Sequence, residues 1–163
     1  MRIAGIIKNS VVNGVGIRDV IFTQGCPHRC QGCHNPETWK FDGGTEMTVD
    51  KLAKEFKDSA NDITISGGEP FLNYQDLFNI ILELKVDHPN KKFWIYTGYK
   101  FEELNRVMVG ILCDLGVEVI VDGRYEQDKR DLTLQFRGSS NQRIIDVRKS
   151  LEAHEVILWE ESK

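Results

Sequence analysis

At 163 residues the chain is long enough for one domain with its own hydrophobic core, and 40% hydrophobic with 28% charged residues are ordinary globular proportions. A net charge of −4 gives no global attraction to nucleic acid or to an anionic membrane, so neither partner is expected. No apolar run nears the roughly 20 residues that span a bilayer, and the apolar part of the N-terminus is too short for a secretory signal; a cytoplasmic protein is expected.

Short β-type runs alternate with amphipathic helical stretches. Val20-Ile21-Phe22-Thr23 reads as the first buried strand. Thr48 and Asp50 mark the start of a helix whose Leu52, Ala53 and Phe56 share a face. Ile63-Thr64-Ile65-Ser66 is the second strand, and Leu77, Ile80, Ile81 and Leu84 fit the apolar stripe of a second helix. Phe93-Trp94-Ile95-Tyr96 follows as a strand; Leu104, Val107, Met108 and Ile111 suggest a third helix, and Val117-Glu118-Val119-Ile120-Val121 a fourth strand. Ile144-Ile145-Asp146-Val147 reads as a later strand, and Val156-Ile157-Leu158-Trp159 as another or as the start of a tail. The alternation implies βαβ crossovers. A closed eight-stranded barrel takes about 200 residues or more, so the expected fold is α/β, an open or partial (β/α) barrel with a mostly parallel sheet. It is one domain over residues 1–163, with a short C-terminal tail from about residue 149.

Three of the four cysteines fall within residues 26–33. A disulfide framework spreads its cysteines along the chain, whereas three in one loop point to a metal or a cluster. Cys113, in an apolar helical pattern, reads as a small buried hydrophobe, and the tryptophans as core or rim packing. Cys26, Cys30 and Cys33 can converge on one face of a 4Fe-4S cluster; cluster ligation normally takes four cysteines, so one iron would be left open. A structural zinc site completed by His28 or His34 is the alternative, although such sites usually come as two ligand pairs. The cysteine loop, Gly67-Gly68-Glu69-Pro70, Thr97-Gly98-Tyr99 and Asp122-Gly123-Arg124 each follow a strand. They should meet at the C-terminal edge of a parallel sheet, where such folds place ligands.

Cys-x3-Cys-x2-Cys after a first strand, with Gly67-Gly68-Glu69-Pro70 one βα unit later, resembles the radical S-adenosylmethionine (SAM) superfamily. The segment from Asn13 through Arg18 to Phe22, and Cys33-His34-Asn35 leading to Thr38-Trp39, resemble its glycyl-radical-enzyme activases. Residues 94–99, 121–125 and 136–143 are similar to the group that activates the anaerobic ribonucleoside-triphosphate reductases, over nearly the whole chain. Formate-lyase-type activases are longer, yet activation of another glycyl radical enzyme stays open, as does a non-catalytic zinc module. Two positions depart from the pattern. Val15 stands where proline is common, and Gly32 where an aromatic residue often packs near the adenine.

The resemblance implies a radical SAM-type oxidoreductase with two cofactors, the 4Fe-4S cluster and SAM. Cys26, Cys30 and Cys33 would ligate iron. Gly32, Cys33 and His34 would line the SAM side of that loop, with His34 covering the adenine. Gly67, Gly68 and Glu69 would meet its amino acid end, where glycines admit close backbone approach and a carboxylate can pair with an ammonium. Tyr96 and Thr97 are candidate ribose or adenine contacts. Asp122, Arg137, Asn141 and Arg143 are candidate contacts for the partner's glycine loop, although a solvated charged surface would also explain them. No catalytic residue beyond the cluster is expected: reductive SAM cleavage would yield a 5′-deoxyadenosyl radical that takes hydrogen from a backbone glycine of the reductase large subunit. The expected partners are that subunit and an electron donor such as a flavodoxin; a homodimer is compatible with the sequence.

Overall fold

The computed structural model describes residues 1–161, which form one seven-stranded sheet with four helices. In chain order the elements are β1 (Arg2–Ser10), β2 (Arg18–Thr23), β3 (Thr45–Glu46), α1 (Val49–Lys54), β4 (Asp62–Gly67), α2 (Tyr74–Asp87), β5 (Phe93–Tyr96), α3 (Arg106–Asp114), β6 (Val117–Asp122), β7 (Arg143–Asp146) and α4 (Val147–Ala153). No helix among the described residues is long and apolar enough to cross a membrane.

The four expected strands lie side by side and parallel, β2 against β4, β4 against β5 and β5 against β6. Their β-branched and aromatic runs suit strands covered on both faces. The expectation of a mostly parallel sheet needs correction. β1 and β3 extend it antiparallel at one edge and β7 at the other, so three of the six pairings are antiparallel. The order β3-β1-β2-β4-β5-β6-β7 leaves the sheet open. β1 escaped the sequence reading because its pairing with β2 shifts register between Ile3 and Gly5 and again between Ile7 and Ser10, which blurs its alternation.

All four helices contribute to one core on one face of the sheet. Leu52 of α1, the Leu77, Ile80, Ile81 and Leu84 stripe of α2, and Val147 of α4 pack there against Ile21, Ile63, Ile65, Phe93 and Ile95. Asn73, Asn105 and Asp146 cap α2, α3 and α4, each accepting a backbone N–H of the first turn. α3 turns a different face inward from the one expected. Val109, Leu112 and Cys113 are buried, while Val107 is 72% exposed. Apolar residues surround that helix on nearly every side, so periodicity alone cannot choose the face.

The opposite face carries Trp94, Val119 and Val121, covered by Val15, Phe136 and Trp159 from loops and tail. The tail is therefore part of the fold. After α4, His154 adopts a left-handed φ of 56° and the chain returns along β7, where Asp146 N donates to Ile157 O and Trp159 N to Ile144 O. Trp159 then meets Trp94 edge to face, with ring centroids 5.2 Å apart.

Candidate metal centre

The site is built where β2 and β4 end together. Thr23 pairs with Gly67, Gly68 N donates to Thr23 O at 2.8 Å, and Glu69 N to Gly25 O at 2.9 Å. The cysteine loop and the Gly67–Pro70 turn therefore leave the sheet in contact. Gly68 is required by that contact, because a Cβ there would lie 2.3 Å from Gly25 O.

All four cysteines are free thiols, with Cys26 buried and Cys30 and Cys33 half-buried. Burial pushes the Cys26 thiol up, opposed by the backbone N–H groups of His28 and Arg29. Burial also raises Cys30, against the backbone N–H of Tyr125. Asn35 N donates to Cys33 Sγ at 3.4 Å. Three thiols with backbone amides turned toward them are a donor set that fits an iron–sulfur cluster. Cys113 cannot serve as a fourth ligand. It is buried on α3 in the core between helices and sheet, beside Gly116 and Val117 at the strand edge opposite the cysteine loop.

Both histidines that would complete a zinc site are engaged otherwise. His28 Nε2 lies 2.7 Å from Glu69 Oε2, and the His34 ring rests against Tyr125 with centroids 5.1 Å apart. Among the described residues no three His, Cys, Asp or Glu side chains form a set for a single metal ion.

Glu69 is fully enclosed. Its carboxylate accepts from Phe71 N at 3.0 Å, Thr97 Oγ1 at 2.7 Å and Gly98 N at 2.7 Å, besides meeting His28. It stitches three loops together, so the Thr97 hydroxyl and the Glu69 oxygens are already partnered within the protein. Cys33, His34, Tyr96 and Arg137 come together around one cleft of about 590 Å³, with Ser66 and Tyr125. Tyr96 is fixed there by donating from Oη to Phe136 O at 2.6 Å, and burial holds its phenol above the ordinary range.

Asp122, Asn141 and Arg143 line a separate cleft of about 650 Å³. Asp122 is buried and tied to Arg143 by bonds of 2.6 and 3.1 Å, and it accepts Phe101 N at 2.7 Å. Arg143 also holds Glu102 at 2.7 Å, and these two carboxylates keep its guanidinium above its ordinary value. This network braces β6 and β7 against the turn after β5. His28 and Tyr125 are the site residues that the sequence reading passed over. His28 stood in the motif loop, weighed only for zinc, and Tyr125 lies in a segment noted only for its resemblance.

Three cysteines and a glycine-rich turn at one edge of a partly parallel α/β sheet define an iron–sulfur protein, and residues 12–145 match the family described as "4Fe-4S single cluster domain". The chain is 36% identical over 146 residues to the anaerobic ribonucleoside-triphosphate reductase-activating protein of Escherichia coli K12, covering 85% of this chain and 94% of that protein. The protein of that name from Enterobacteria phage T4 is 38% identical over 139 residues, 82% of this chain and 86% of the other. That from Haemophilus influenzae is 34% identical over 142 residues, 82% of this chain and 90% of the other. The chain belongs to the family of anaerobic ribonucleoside-triphosphate reductase-activating proteins, within the single-cluster 4Fe-4S domains.

Proposed function

We propose that this protein activates an anaerobic ribonucleoside-triphosphate reductase by reductive cleavage of SAM at a 4Fe-4S cluster held by Cys26, Cys30 and Cys33, leaving a glycyl radical on the reductase. The observation that carries the reading is the isolation of Cys113. With the fourth cysteine on the far side of the core, the cysteine loop offers three thiols, and a 4Fe-4S cluster held by them would leave one iron for an exogenous ligand. When bound, the cluster supplies the electron for that cleavage.

The chain's own residues hold and shield. The thiolates of Cys26, Cys30 and Cys33 would bind iron, with backbone amides of the loop turned toward Cys26 and Cys33. Gly67 and Gly68 bring bare backbone to the loop's flank, where the amino acid end of SAM would lie. Glu69 fixes these loops through its four partners instead of meeting the ligand directly. The cleft beside Cys33 would hold the rest of SAM and admit the partner's glycine, with Arg137 on its wall. Asp122, Asn141 and Arg143 would meet the partner through the second cleft. Helices confined to one face of an open sheet support a partial barrel of the radical SAM type. A cytoplasmic setting and a flavodoxin-like electron donor belong to the same reading.

The test is anaerobic incubation of the reconstituted protein with reductant, SAM and the candidate reductase, followed by electron paramagnetic resonance. A glycyl doublet on the reductase is expected. SAM cleavage without that doublet would point to a different protein substrate. A colourless protein holding one zinc and no iron after careful reconstitution would remove the cluster itself.

A further inference from the structure

SAM has two ends of different chemistry, and this inference rests on the reading that it is the ligand. Its amino and carboxylate groups need polar partners at the iron, whereas its adenine needs a flat surface within a nucleoside's reach of the same point. Two aromatic pairs stand beside the cysteine loop. His28 and Tyr99 meet edge to face at 4.6 Å, but His28 is closed in by Glu69 and by Gly98, where a Cβ would lie 2.3 Å from the imidazole. That pair is already packed. His34 and Tyr125, with centroids 5.1 Å apart, both line the cleft onto which Cys33 opens.

Tyr125 stands there because its neighbours are small. A Cβ on Gly32 would lie 3.2 Å from Tyr125 Cε1 and 1.9 Å from Gln127 Oε1. On Gly138 it would lie 3.1 Å from Tyr125 Cδ2 and Cε2. The two glycines flank opposite edges of the ring, and Tyr125 Oη donates to Gln127 Oε1 at 3.0 Å. The ring is thereby held at its hydroxyl and occupies room that Gly32 and Gly138 leave free, while it lines the cleft.

We propose that Tyr125 binds the adenine of SAM, its ring stacking on the purine with His34 beside it. The aromatic surface of the site then comes from the loop after β6. Gly32 is small because Tyr125 and Gln127 occupy the space that a side chain there would need.

The test is equilibrium titration of anaerobically reconstituted protein, without reductant so that SAM stays intact, with SAM and separately with methionine, which carries no purine. Tyr125→Ala should keep wild-type iron content and methionine affinity and bind SAM about tenfold more weakly. Tyr125→Phe keeps the ring and should stay close to wild type. Tyr125→Leu fills similar space without a π face and should behave like alanine. Unchanged SAM affinity in the alanine variant, or wild-type affinity with leucine, overturns the assignment. Equal loss of iron and methionine affinity in both variants also overturns it, because Tyr125 would then only shape the cysteine loop. A wild-type cluster protein that binds neither SAM nor methionine removes the SAM reading itself, which is a different result from any of these.

Discussion

His28 Nε2 stands 2.7 Å from Glu69 Oε2, joining the middle of the cysteine loop to the turn that follows β4. Neither side chain has an outlet to solvent, since His28 is 4% and Glu69 0% exposed along the side chain. The carboxylate is therefore a structural hub, with Phe71 N, Thr97 Oγ1 and Gly98 N as its other donors. Each carboxylate oxygen accepts one backbone N–H, Phe71 N on Oε1 and Gly98 N on Oε2, so Glu69→Gln would turn its amide NH2 toward an obligate donor on either side. A buried mismatch of this kind costs about 1–3 kcal/mol, read by urea unfolding of the cluster-loaded protein. Iron per chain should fall as well, because the cysteine loop loses its anchor. Thr97→Val removes one of several bonds and should cost about 1 kcal/mol with iron retained. Equal iron content and stability in Glu69→Gln and wild type would refute the hub.

The two glycine sites separate by what stands against them. On Gly68 a new Cβ meets backbone, Gly25 O at 2.3 Å, whereas on Gly32 it meets the end of the Gln127 side chain at 1.9 Å. Backbone cannot swing away, but a glutamine can. Gly32 also has a φ of 77°, which adds strain for alanine of about 1 kcal/mol. Gly68→Ala should consequently lose most of its iron and unfold at lower urea, while Gly32→Ala should fold and keep its cluster. Iron and sulfide analysis beside an unfolding curve checks both.

How far this site was legible follows from which contacts are local. The thiol spacing and the glycine turn are short sequence signals, and four strand ends meeting at one sheet edge follow from β–α alternation. Glu69 could be located from sequence but not its direction, because its donors come from loops as far away as His28 and Gly98. The α2 stripe was readable since polar residues frame it, whereas α3, apolar on most sides, gave no preferred face. β1 and the returning tail were hidden for another reason: a bulged strand and a segment reversed by one left-handed histidine carry no clean period.

Cys113 lies in the core, apart from the three cysteines of the loop. Cys30→Ala should abolish both cluster absorbance and SAM cleavage. Cys113→Ala should keep both and lose about 1 kcal/mol of stability from its buried position on α3. Visible absorbance of anaerobically reconstituted variants decides it. Loss of the cluster in Cys113→Ala would make the three-ligand assignment wrong.

The returning tail completes the second core. Trp159 is half-buried, pressing on Trp94, which Phe136 meets from another side at 5.5 Å. Removing the ring would uncover Trp94 on that face of the sheet, so Trp159→Ala should cost about 1–3 kcal/mol, below the range for a fully enclosed tryptophan. Intrinsic fluorescence during denaturation reports it directly. A variant as stable as wild type would mean the tail only rests on the sheet.

Asp19 gives the acid limb of stability its direction. Burial would push its carboxyl up, but hydrogen bonds from Ser59 Oγ at 2.5 Å, Asn61 Nδ2 at 3.0 Å and Asn9 N at 3.0 Å outweigh that and hold it below the ordinary carboxylate value. A carboxyl depressed in the folded state stabilises it fully above the unfolded value of about 3.9. That contribution is lost as pH falls through the lower folded value, because the unfolded chain takes up the proton first. Asp19→Asn should therefore lower stability by about 1 kcal/mol at neutral pH and flatten the fall in acid. Urea midpoints between neutral pH and the acid transition, with wild type and variant side by side, measure both effects. Parallel curves, offset but equally steep in acid, would assign the pH dependence to other carboxylates.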